Sequence, residues 1–296
     1  MLIREAYAES RAALAAAGTG SPGLDASLLL AEVLGINRTA LAAAGEDALS
    51  QKALASLRQL ISRRLGGECI AYILGRKEFR GLEFSVNSSV LVPRPETETL
   101  VDAALEVWGV GTGEWGVKNK SEKAAGNFQV LDLCTGSGAI AVSLKSECPD
   151  LTVWASDIST EALKVARANA VCLLPPESIQ FFLGDLFEAL PPPNPQFNLI
   201  VSNPPYIPDA QIETLSPEVK KEPRIALDGG EDGMVIIKKI IAAAPDYLIR
   251  GGALLLEADP GQMKSIAALL EKNGFMNIKE YRDLSGSERV ISGTLP

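Results

Sequence analysis

Residues 130–142 read "VLDLCTGSGAIAV", and this stretch decides the fold of most of the chain. An apolar segment is followed by a short loop with two glycines and then by apolar residues at helical spacing. Gly136 and Gly138 allow the backbone to turn tightly and to approach a ligand. The free N–H groups at the start of the following helix face the same point. The stretch therefore predicts a β-strand, a ligand-binding loop and an α-helix of a doubly wound sheet.

Strands and helices alternate on both sides of this loop. Strands are predicted at residues 128–133, 152–156, 179–183, 197–202 and 252–258, and helices at 138–147, 159–170, 233–248 and 261–274. Two short strands, at 277–283 and 289–293, close the pattern and are expected to form an antiparallel edge. Such alternation is typical of a mostly parallel sheet with helices on both faces, so the fold class is α/β.

The chain before this region has a different pattern of apolar and polar residues. Residues 1–74 carry helical patterns without a strand signal and predict a small helical domain. In residues 75–94, alternating apolar positions around Arg80-Gly81 predict a β-hairpin linker. The third predicted region, 95–296, opens with a helix at 95–108. Residues 109–127 are polar, glycine-rich and aperiodic, and they predict an exposed connection.

Composition excludes several classes of function. The 296 residues include no histidine, which removes Ser-His-Asp and Cys-His catalysis and most zinc chemistry. The four cysteines are widely spaced, so neither a metal site nor a disulfide framework is expected. A net charge of −9 argues against direct nucleic-acid binding. No apolar run is long enough to cross a membrane. We expect a soluble, cytoplasmic monomer.

Three acidic residues bear on the cofactor. Asp157 ends the strand after the glycine loop, where a carboxylate can accept both hydroxyls of a ribose. The sequence "GSGAIA" also fits a dinucleotide-binding pattern, so a nicotinamide-dependent dehydrogenase is an alternative. Asp132 lies in the strand ahead of the loop, where it would repel a pyrophosphate. Asp185 ends another strand and can accept from an adenine amino group. These two acids favour S-adenosylmethionine over a dinucleotide.

A second motif, "NPPY", follows the strand at 197–202. Asn203 offers a side-chain carbonyl at the carboxyl edge of the sheet, where ligands bind. Pro204 and Pro205 have no N–H and hold their carbonyls still. Tyr206 offers a flat face for stacking. Together they describe a receptor for a planar –NH2 group, such as that of an amide or an aromatic amine, whose nitrogen is to be alkylated.

Five stretches together carry a family resemblance: residues 71–101, "LDLCTGSGAIAV", "NPPYI", "EPRIALDGGEDGM" and "DLSGSERVI". From about Gly67 onward the chain resembles the release factor glutamine methyltransferase family, and the helical N-terminal region fits as well. The resemblance implies an N-terminal helical substrate-recognition domain, a hairpin linker and a seven-stranded S-adenosylmethionine methyltransferase domain. It implies N5-methylation of the glutamine in the GGQ motif of peptide chain release factors, with S-adenosylhomocysteine as product and no metal.

The resemblance also assigns site residues. Thr135, Gly136, Ser137 and Gly138 would hold the methionine end of the cofactor and Asp157 its ribose, while residues 203–206 would hold the substrate amide. Cys134 stands where a glycine is usual. Leu186 stands where some members carry a tryptophan beside the adenine. The full set of expected cofactor-binding residues is Cys134, Thr135, Gly136, Ser137, Gly138, Asp157, Asp185, Leu186 and Asn203.

Two further functions remain open at the level of sequence. NPPY does not distinguish glutamine from adenine, so a nucleic-acid amino-methyltransferase is one alternative; such enzymes usually carry a basic surface, which this acidic chain does not favour. A catalytically idle binding module is the other, if Cys134 or Leu186 weakens cofactor binding. Asn203, Pro204 and Tyr206 are the residues expected to take part in catalysis.

Overall fold

The structure is a computed structural model, and it describes residues 1–109 and 128–296. The connection predicted at 109–127 therefore lies, beyond Gly109, outside the described residues. The described chain forms two compact units. The first contains Met1–Arg76 and Ser216–Lys221, and the second contains Lys77–Leu215 and Glu222–Pro296. Within the described residues, no helix is both long and apolar enough to cross a bilayer.

The first unit is helical and has its own apolar core. Its helices are α1 (Ile3–Ala16), α2 (Pro22–Leu34), α3 (Arg38–Ala43), α4 (Gln51–Leu65) and α5 (Ile70–Leu74). Ser50 caps α4, because its hydroxyl accepts a hydrogen bond from the N–H of Ala53 at 3.1 Å. Arg64 is buried and pairs with Asp25 at 2.7 Å and with Glu218 of the short segment Ser216–Lys221. The segment thus joins this unit through a desolvated ion pair.

A hairpin follows at the start of the second unit. Its strands are β1 (Arg76–Phe79), whose first residue still belongs to the first unit, and β2 (Leu82–Ser85), and it turns at Arg80-Gly81 as the sequence predicts. Its remaining strands are β3 (Gln129–Leu133), β4 (Thr152–Asp157), β5 (Ile179–Leu183), β6 (Phe197–Ser202), β7 (Leu248–Glu257), β8 (Met276–Arg282) and β9 (Glu288–Thr294). In the part of the chain that is described, these seven form one sheet in the order β5-β4-β3-β6-β7-β9-β8. The pairs from β5 to β7 are parallel, and β9 is antiparallel to both of its neighbours. The predicted fold class is confirmed.

Helices cover both faces of this sheet. They are α6 (Glu98–Trp108), α7 (Ala139–Glu147), α8 (Thr160–Leu173), α10 (Val235–Ala243) and α11 (Met263–Lys272), while the short helix α9 (Asp209–Ile212) lies in the connection after β6. Successive residues of a strand face opposite sides. Accordingly, Val130 packs in a core with α6 and α7, whereas Leu131 packs in a core with α10 and α11. This burial on both faces explains why the strands read as continuous apolar runs.

One predicted boundary is wrong. The helix expected at 233–248 ends at Ala243, and β7 starts at Leu248 instead of near residue 252. Pro245 has no N–H and its ring clashes with the carbonyl four residues earlier, so the chain leaves the helix through the three-ten turn Ala244–Asp246. The apolar residues after this turn belong to the strand.

Candidate active site

The site forms where the strand order reverses. From β3 the chain runs to β4 and β5 on one side of the sheet, and β6 then returns to the other side of β3. Leu133 at the end of β3 is paired with Ser202 at the end of β6, whose hydroxyl donates to the Leu133 carbonyl at 2.8 Å. Residues 134 and 203 therefore leave the sheet side by side. Ligands of open α/β sheets bind at such a point.

A cavity of about 460 Å³ opens at this edge, a volume that suits a small-molecule ligand. Most of the residues that the sequence singles out contribute to its wall: Cys134, Thr135, Gly136, Ser137, Asp157, Asp185, Leu186, Asn203 and Pro205. Gly138, Pro204 and Tyr206 are not part of the wall. The structure therefore brings the glycine loop and the NPPY loop to one cavity and separates three predicted residues from it.

The two glycines of the loop have different surroundings. Gly136 has φ +54° and lines the cavity, and a Cβ built on it would meet no atom within 4 Å. Gly138 has φ +81°, and its Cβ would lie 3.2 Å from the Cβ of Ala166 on α8. The requirement for glycine at 138 therefore comes from the backbone conformation and from close packing on α8. Cys134 adopts φ +60°, a conformation that glycine reaches more easily.

Asp132 is fully buried within the loop and does not line the cavity. Its Oδ2 accepts hydrogen bonds from the Thr135 hydroxyl at 2.6 Å and from the N–H of Ala141 at 3.2 Å. Burial raises the pKa of Asp132 to about 7, and the two hydrogen bonds oppose that rise. The carboxylate ties the strand end to the loop and to α7. Asp132 therefore supports the cavity wall from the interior of the protein. The sequence had instead suggested that its charge acts directly on the ligand.

Asp157 lies at the end of β4 and lines the cavity. Its Oδ2 accepts from the N–H of Gly136 at 2.9 Å, and its Oδ1 accepts from the N–H of Ser159 at 2.8 Å. Burial raises the pKa of Asp157, and these backbone hydrogen bonds lower it. The N–H of Ile158 also contributes to this lowering of the pKa, and the lone pairs that remain on the carboxylate can accept hydrogen bonds from a ligand.

Asp185 and Leu186 follow β5 on the same edge of the sheet. Asp185 is partly exposed and lies 3.5 Å from the ammonium of Lys239. Leu186 has φ +49° and packs against the core beneath α10 and α11. The tight turn at Gly184 leaves no room for a Cβ, which would approach the Cα of Ala189 to 2.7 Å. This turn directs both side chains toward the cavity.

Asn203 follows β6 and lines the cavity next to the glycine loop. Its side-chain Nδ2 donates to the hydroxyl oxygen of Thr97 at 3.2 Å. Thr97 is itself buried, in the turn Pro95–Thr97 before α6. This contact engages the amide nitrogen of Asn203 with a mostly buried side chain at the edge of the cavity.

Pro204 is buried, and the side chain of Tyr206 packs on the core beneath α10 and α11. Burial raises the pKa of the Tyr206 hydroxyl, and the negative charge of Glu257 adds to the rise. The Tyr206 carbonyl accepts from Nε2 of Gln262 at 3.0 Å. The side chains of Pro204 and Tyr206 thus support the loop from the interior, whereas the sequence had suggested that Tyr206 stacks on a substrate.

A glycine-rich segment packs against the back of the NPPY loop. The N–H of Ile207 donates to the Leu227 carbonyl at 3.0 Å, and the N–H of Gly229 donates to the Ile207 carbonyl at 2.8 Å. A Cβ at Gly233 would lie 2.3 Å from the carbonyl oxygen of Tyr206. These contacts explain why "LDGGEDGM" follows the NPPY motif and why glycine is needed within it.

Sequence reasoning missed two parts of the wall. The segment after the hairpin contributes Ser89, Val90, Leu91, Pro93, Arg94 and Thr97, and a later segment contributes Arg224, Ile225, Ala226 and Asp228. Glu222 joins the two segments, because its carboxylate accepts from Arg94 at 2.5 Å and from the N–H of Val92 at 3.2 Å. Both stretches are family motifs in the sequence, but their patterns alone do not indicate that they meet.

Glu257 is a buried carboxylate close to the NPPY loop. It is the last residue of β7 and is 1% exposed. Burial raises the pKa of Glu257 to about 7, and hydrogen bonds with Thr97 and Asn203 oppose the rise, as does the charge of Arg289. Its Oε2 has no hydrogen-bond partner within the described residues. Nothing in the sequence marked this residue as part of the site.

The residues of the cavity fit S-adenosylmethionine. Open space at Gly136 lies beside the Asp157 carboxylate, which suits a ribose diol. Ile158 and Leu186 supply apolar surface, and Asp185 supplies an acceptor, as an adenine ring with its amino group requires. Within the described residues there is no cluster of side chains that could hold a metal ion.

Two family models match parts of the chain. Residues 5–75 match the family described as PrmC N-terminal domain, and residues 119–216 match the family described as Methyltransferase small domain. The doubly wound sheet, the glycine loop and the cavity at its switch point thus define a methyltransferase. A solved methyltransferase from Pyrococcus furiosus shares the fold, with a TM-score of 0.50 and 19% identity over 81% of this chain and 98% of that one. The hMettl16 catalytic domain, solved with a 3'UTR hairpin, has a TM-score of 0.55 and 14% identity over 80% of this chain and 83% of that one.

Curated relatives identify the family. The chain is 40% identical to the release factor glutamine methyltransferase of Deinococcus radiodurans over 98% of both chains. It is 41% identical to the release factor glutamine methyltransferase of Burkholderia pseudomallei over 92% of both chains. The chain belongs to the release factor glutamine methyltransferase family.

Proposed function

We propose that this protein methylates the side-chain amide nitrogen of the glutamine in the GGQ motif of peptide chain release factors. The observation that carries the proposal is the hydrogen bonding of the Asn203 side-chain amide. Its Nδ2 is engaged by buried Thr97, so its carbonyl is left as an acceptor in the cavity, beside the glycine loop. An acceptor at this point matches the hydrogen of a substrate –NH2 group.

The same proposal assigns the cofactor residues. Thr135, Gly136 and Ser137 hold the methionine end through backbone groups at the start of α7. The carboxylate of Asp157 accepts the ribose hydroxyls, and Asp185 with Leu186 borders the adenine. Cys134 contributes wall and backbone, and Gly138 keeps α7 close to α8. When bound, S-adenosylmethionine supplies an electrophilic methyl group and leaves as S-adenosylhomocysteine.

An amide nitrogen is a poor nucleophile because its lone pair is delocalised into the carbonyl. Hydrogen bonds from its two N–H groups to fixed acceptors return electron density to the nitrogen. The Asn203 side-chain carbonyl serves as one acceptor in our proposal. The other is the backbone carbonyl of Pro204, whose ring is buried outside the cavity wall and fixes the backbone there. The two acceptors also hold the nitrogen in line for transfer, and such orientation contributes roughly 7–11 kcal/mol in favourable systems. The nitrogen gains a methyl group and loses one of its hydrogens as a proton to water.

Apolar side chains around the cavity restrict, without preventing, the access of water to the reacting nitrogen. Four of the side chains that line the cavity are Val90, Leu91, Ile140 and Ile225. Ile225 is 55% exposed and lies in the cavity wall, so its side chain is accessible to a bound substrate. We assign it to contact with the backbone around the substrate glutamine.

In this proposal the first unit binds the protein substrate. It has its own buried core and exposes Leu24 and Leu65 on its surface. A chain that starts at residue 77 should keep its affinity for S-adenosylmethionine and lose methylation of the intact release factor. Full activity of the shortened chain would contradict this role. In the same proposal the protein acts as a monomer. Because its substrate is a translation factor, it acts in the cytoplasm and does not contact nucleic acid directly.

The test is a single-turnover methyl-transfer assay with tritiated S-adenosylmethionine. Purified release factor, tRNA and DNA serve as parallel substrates for the wild type and Asn203→Ala. We expect label on the GGQ glutamine alone and a rate lower by roughly a hundredfold or more in Asn203→Ala, the cost of losing one preorganised group. Asn194→Ala, an exposed position in the loop before β6, serves as the control and should match the wild type. Label on tRNA or DNA and not on the release factor would refute the proposal.

A further inference from the structure

The chemistry of Asn203 depends on which end of its amide faces the cavity. The carbonyl and –NH2 ends of an asparagine have nearly the same shape, so packing alone does not distinguish them. A substrate –NH2 group requires the acceptor end. If the side chain turned over, two donors would meet and the substrate would be rejected. The inference below rests on the proposed function and concerns what fixes this orientation.

Two buried residues contact the inner end of the Asn203 side chain. Nδ2 of Asn203 donates to Thr97 Oγ1 at 3.2 Å, and Thr97 and Asn203 both form hydrogen bonds that favour the ionised form of Glu257. The strand register explains this proximity. Ser202 of β6 pairs with Leu256 of β7, so Asn203 and Glu257 are the next residues on two neighbouring parallel strands. Thr97 and Glu257 are 5% and 1% exposed, so water does not compete for these bonds.

The hydroxyl of Thr97 cannot set the direction of this network, because it both donates and accepts. An ionised carboxylate accepts only. If Glu257 is ionised, Thr97 donates its single hydrogen to Glu257, and its lone pairs remain for the N–H of Asn203. If Glu257 were neutral, its own hydrogen could turn the Thr97 hydroxyl toward Asn203 and favour the reversed amide.

We infer that Glu257 is a positioning residue: its ionised carboxylate, acting directly and through Thr97, turns the –NH2 of Asn203 inward and the carbonyl oxygen toward the substrate. Glu257 does not touch the reacting atoms. It sets the polarity of a hydrogen-bond chain that ends at the site.

The charged and titratable groups that face Glu257 come from three elements. Arg289 of β9 favours its ionised form, Glu96 before α6 opposes it, and Tyr206 of the NPPY loop lies within its electrostatic reach. Burial outweighs these effects and raises the pKa of Glu257 to about 7. The correct orientation of Asn203 is therefore half populated near pH 7, is complete only well above that pH, and is lost as Glu257 gains a proton. The ionised fraction falls roughly tenfold for each pH unit below the pKa.

The first experiment observes Asn203 without any substrate. The side-chain –NH2 signals of Asn203 are recorded by ¹⁵N NMR between pH 5.5 and 9 and are assigned by their absence in Asn203→Ala. We expect a titration with a midpoint near pH 7 that disappears in Glu257→Gln. Asn169, whose buried –NH2 donates to the Ser85 and Ser137 carbonyls, is the internal control and should not respond to the substitution.

The second experiment measures single-turnover methylation of the release factor across the same pH range, at saturating S-adenosylmethionine. Glu257→Gln should lower the rate at pH 8 at least tenfold and remove the fall below pH 7. Thr97→Val should lower the rate at pH 8 similarly, and Thr97→Ser should restore it. Cofactor affinity should change less than threefold in each variant. Glu271→Gln, on the exposed side of α11, is the matched control and should keep the wild-type profile.

The two experiments separate this inference from the proposed function. A wild type that does not methylate the release factor refutes the function, while the NMR titration still decides the role of Glu257. Asn203 signals that are the same in the wild type and Glu257→Gln at every pH would overturn the inference, even in an active enzyme. A Glu257→Gln variant that loses rate together with cofactor affinity would also overturn it, because Glu257 would then support the whole site.

Discussion

Replacing Asp132 with asparagine should stabilise the protein at alkaline pH. The carboxyl group is fully buried at the end of β3, and its Oδ1 has no hydrogen-bond partner within the described residues. Asparagine keeps a carbonyl oxygen for the bonds from Thr135 and Ala141 and cannot ionise. The substitution therefore removes the cost of a buried charge and preserves the shape of the loop.

The magnitude follows from the difference in pKa between the folded and unfolded chain. Burial raises the pKa of Asp132 from 3.8 to about 7 in the folded protein. Between these values the folded state binds a proton that the unfolded state has released, so stability falls as pH rises and levels off only about one unit above the folded pKa. The whole loss amounts to about 4 kcal/mol, of which about 2 kcal/mol falls between pH 5.5 and 8.5. Asp132→Asn does not undergo this loss.

Urea unfolding at pH 5.5 and 8.5, followed by tryptophan fluorescence, measures the effect. Trp154 on β4 lies next to β3 and reports on the sheet. From pH 5.5 to 8.5 the variant should gain about 2 kcal/mol relative to the wild type, a midpoint shift of roughly 1 M urea. The exposed control Asp150→Asn should follow the wild type at both pH values. If the wild type and Asp132→Asn differ by the same amount at both pH values, Asp132 does not titrate as argued.

Three further predictions concern the site. Asp157→Ala removes the acceptor at the end of β4 and should weaken S-adenosylmethionine binding by about 1.5–3 kcal/mol in calorimetry; unchanged affinity would remove the residue from the ribose site. Gly233→Ala places a Cβ 2.3 Å from the Tyr206 carbonyl oxygen, so it should lower the methylation rate at least tenfold while cofactor affinity is kept; Gly20→Ala, where the Cβ meets nothing within 4 Å, is the control. Gly138→Ala should lower the free energy of unfolding by at least about 1 kcal/mol, because alanine at φ +81° is strained and crowds Ala166; a neutral effect on unfolding would contradict the packing role.

The sequence was sufficient for the fold and for the two loops of the site. Strand and helix identity follows from local periodicity, and glycines and prolines mark the turns, so the doubly wound sheet could be predicted without coordinates. The NPPY and glycine loops were recognisable because each carries its chemistry within a few neighbouring residues. The end of α10 was missed because apolar residues continue through Pro245 into β7, and a continuous apolar run fits either element.

Tertiary structure alone decided which residues stand behind these loops. Thr97 and Glu257 lie far from Asn203 in sequence, and a hydrogen bond and the pairing of two parallel strands bring them next to it. Glu222 is likewise far from Arg94 in sequence and meets it through an ion pair. The same holds for the inward placement of Asp132 and Tyr206, because a residue type does not state on which side of a loop its side chain lies. Local sequence determines backbone geometry through short-range sterics and hydrogen bonds, whereas the burial that shifts the pKa of Glu257 and orients Asn203 arises only when distant segments exclude water together.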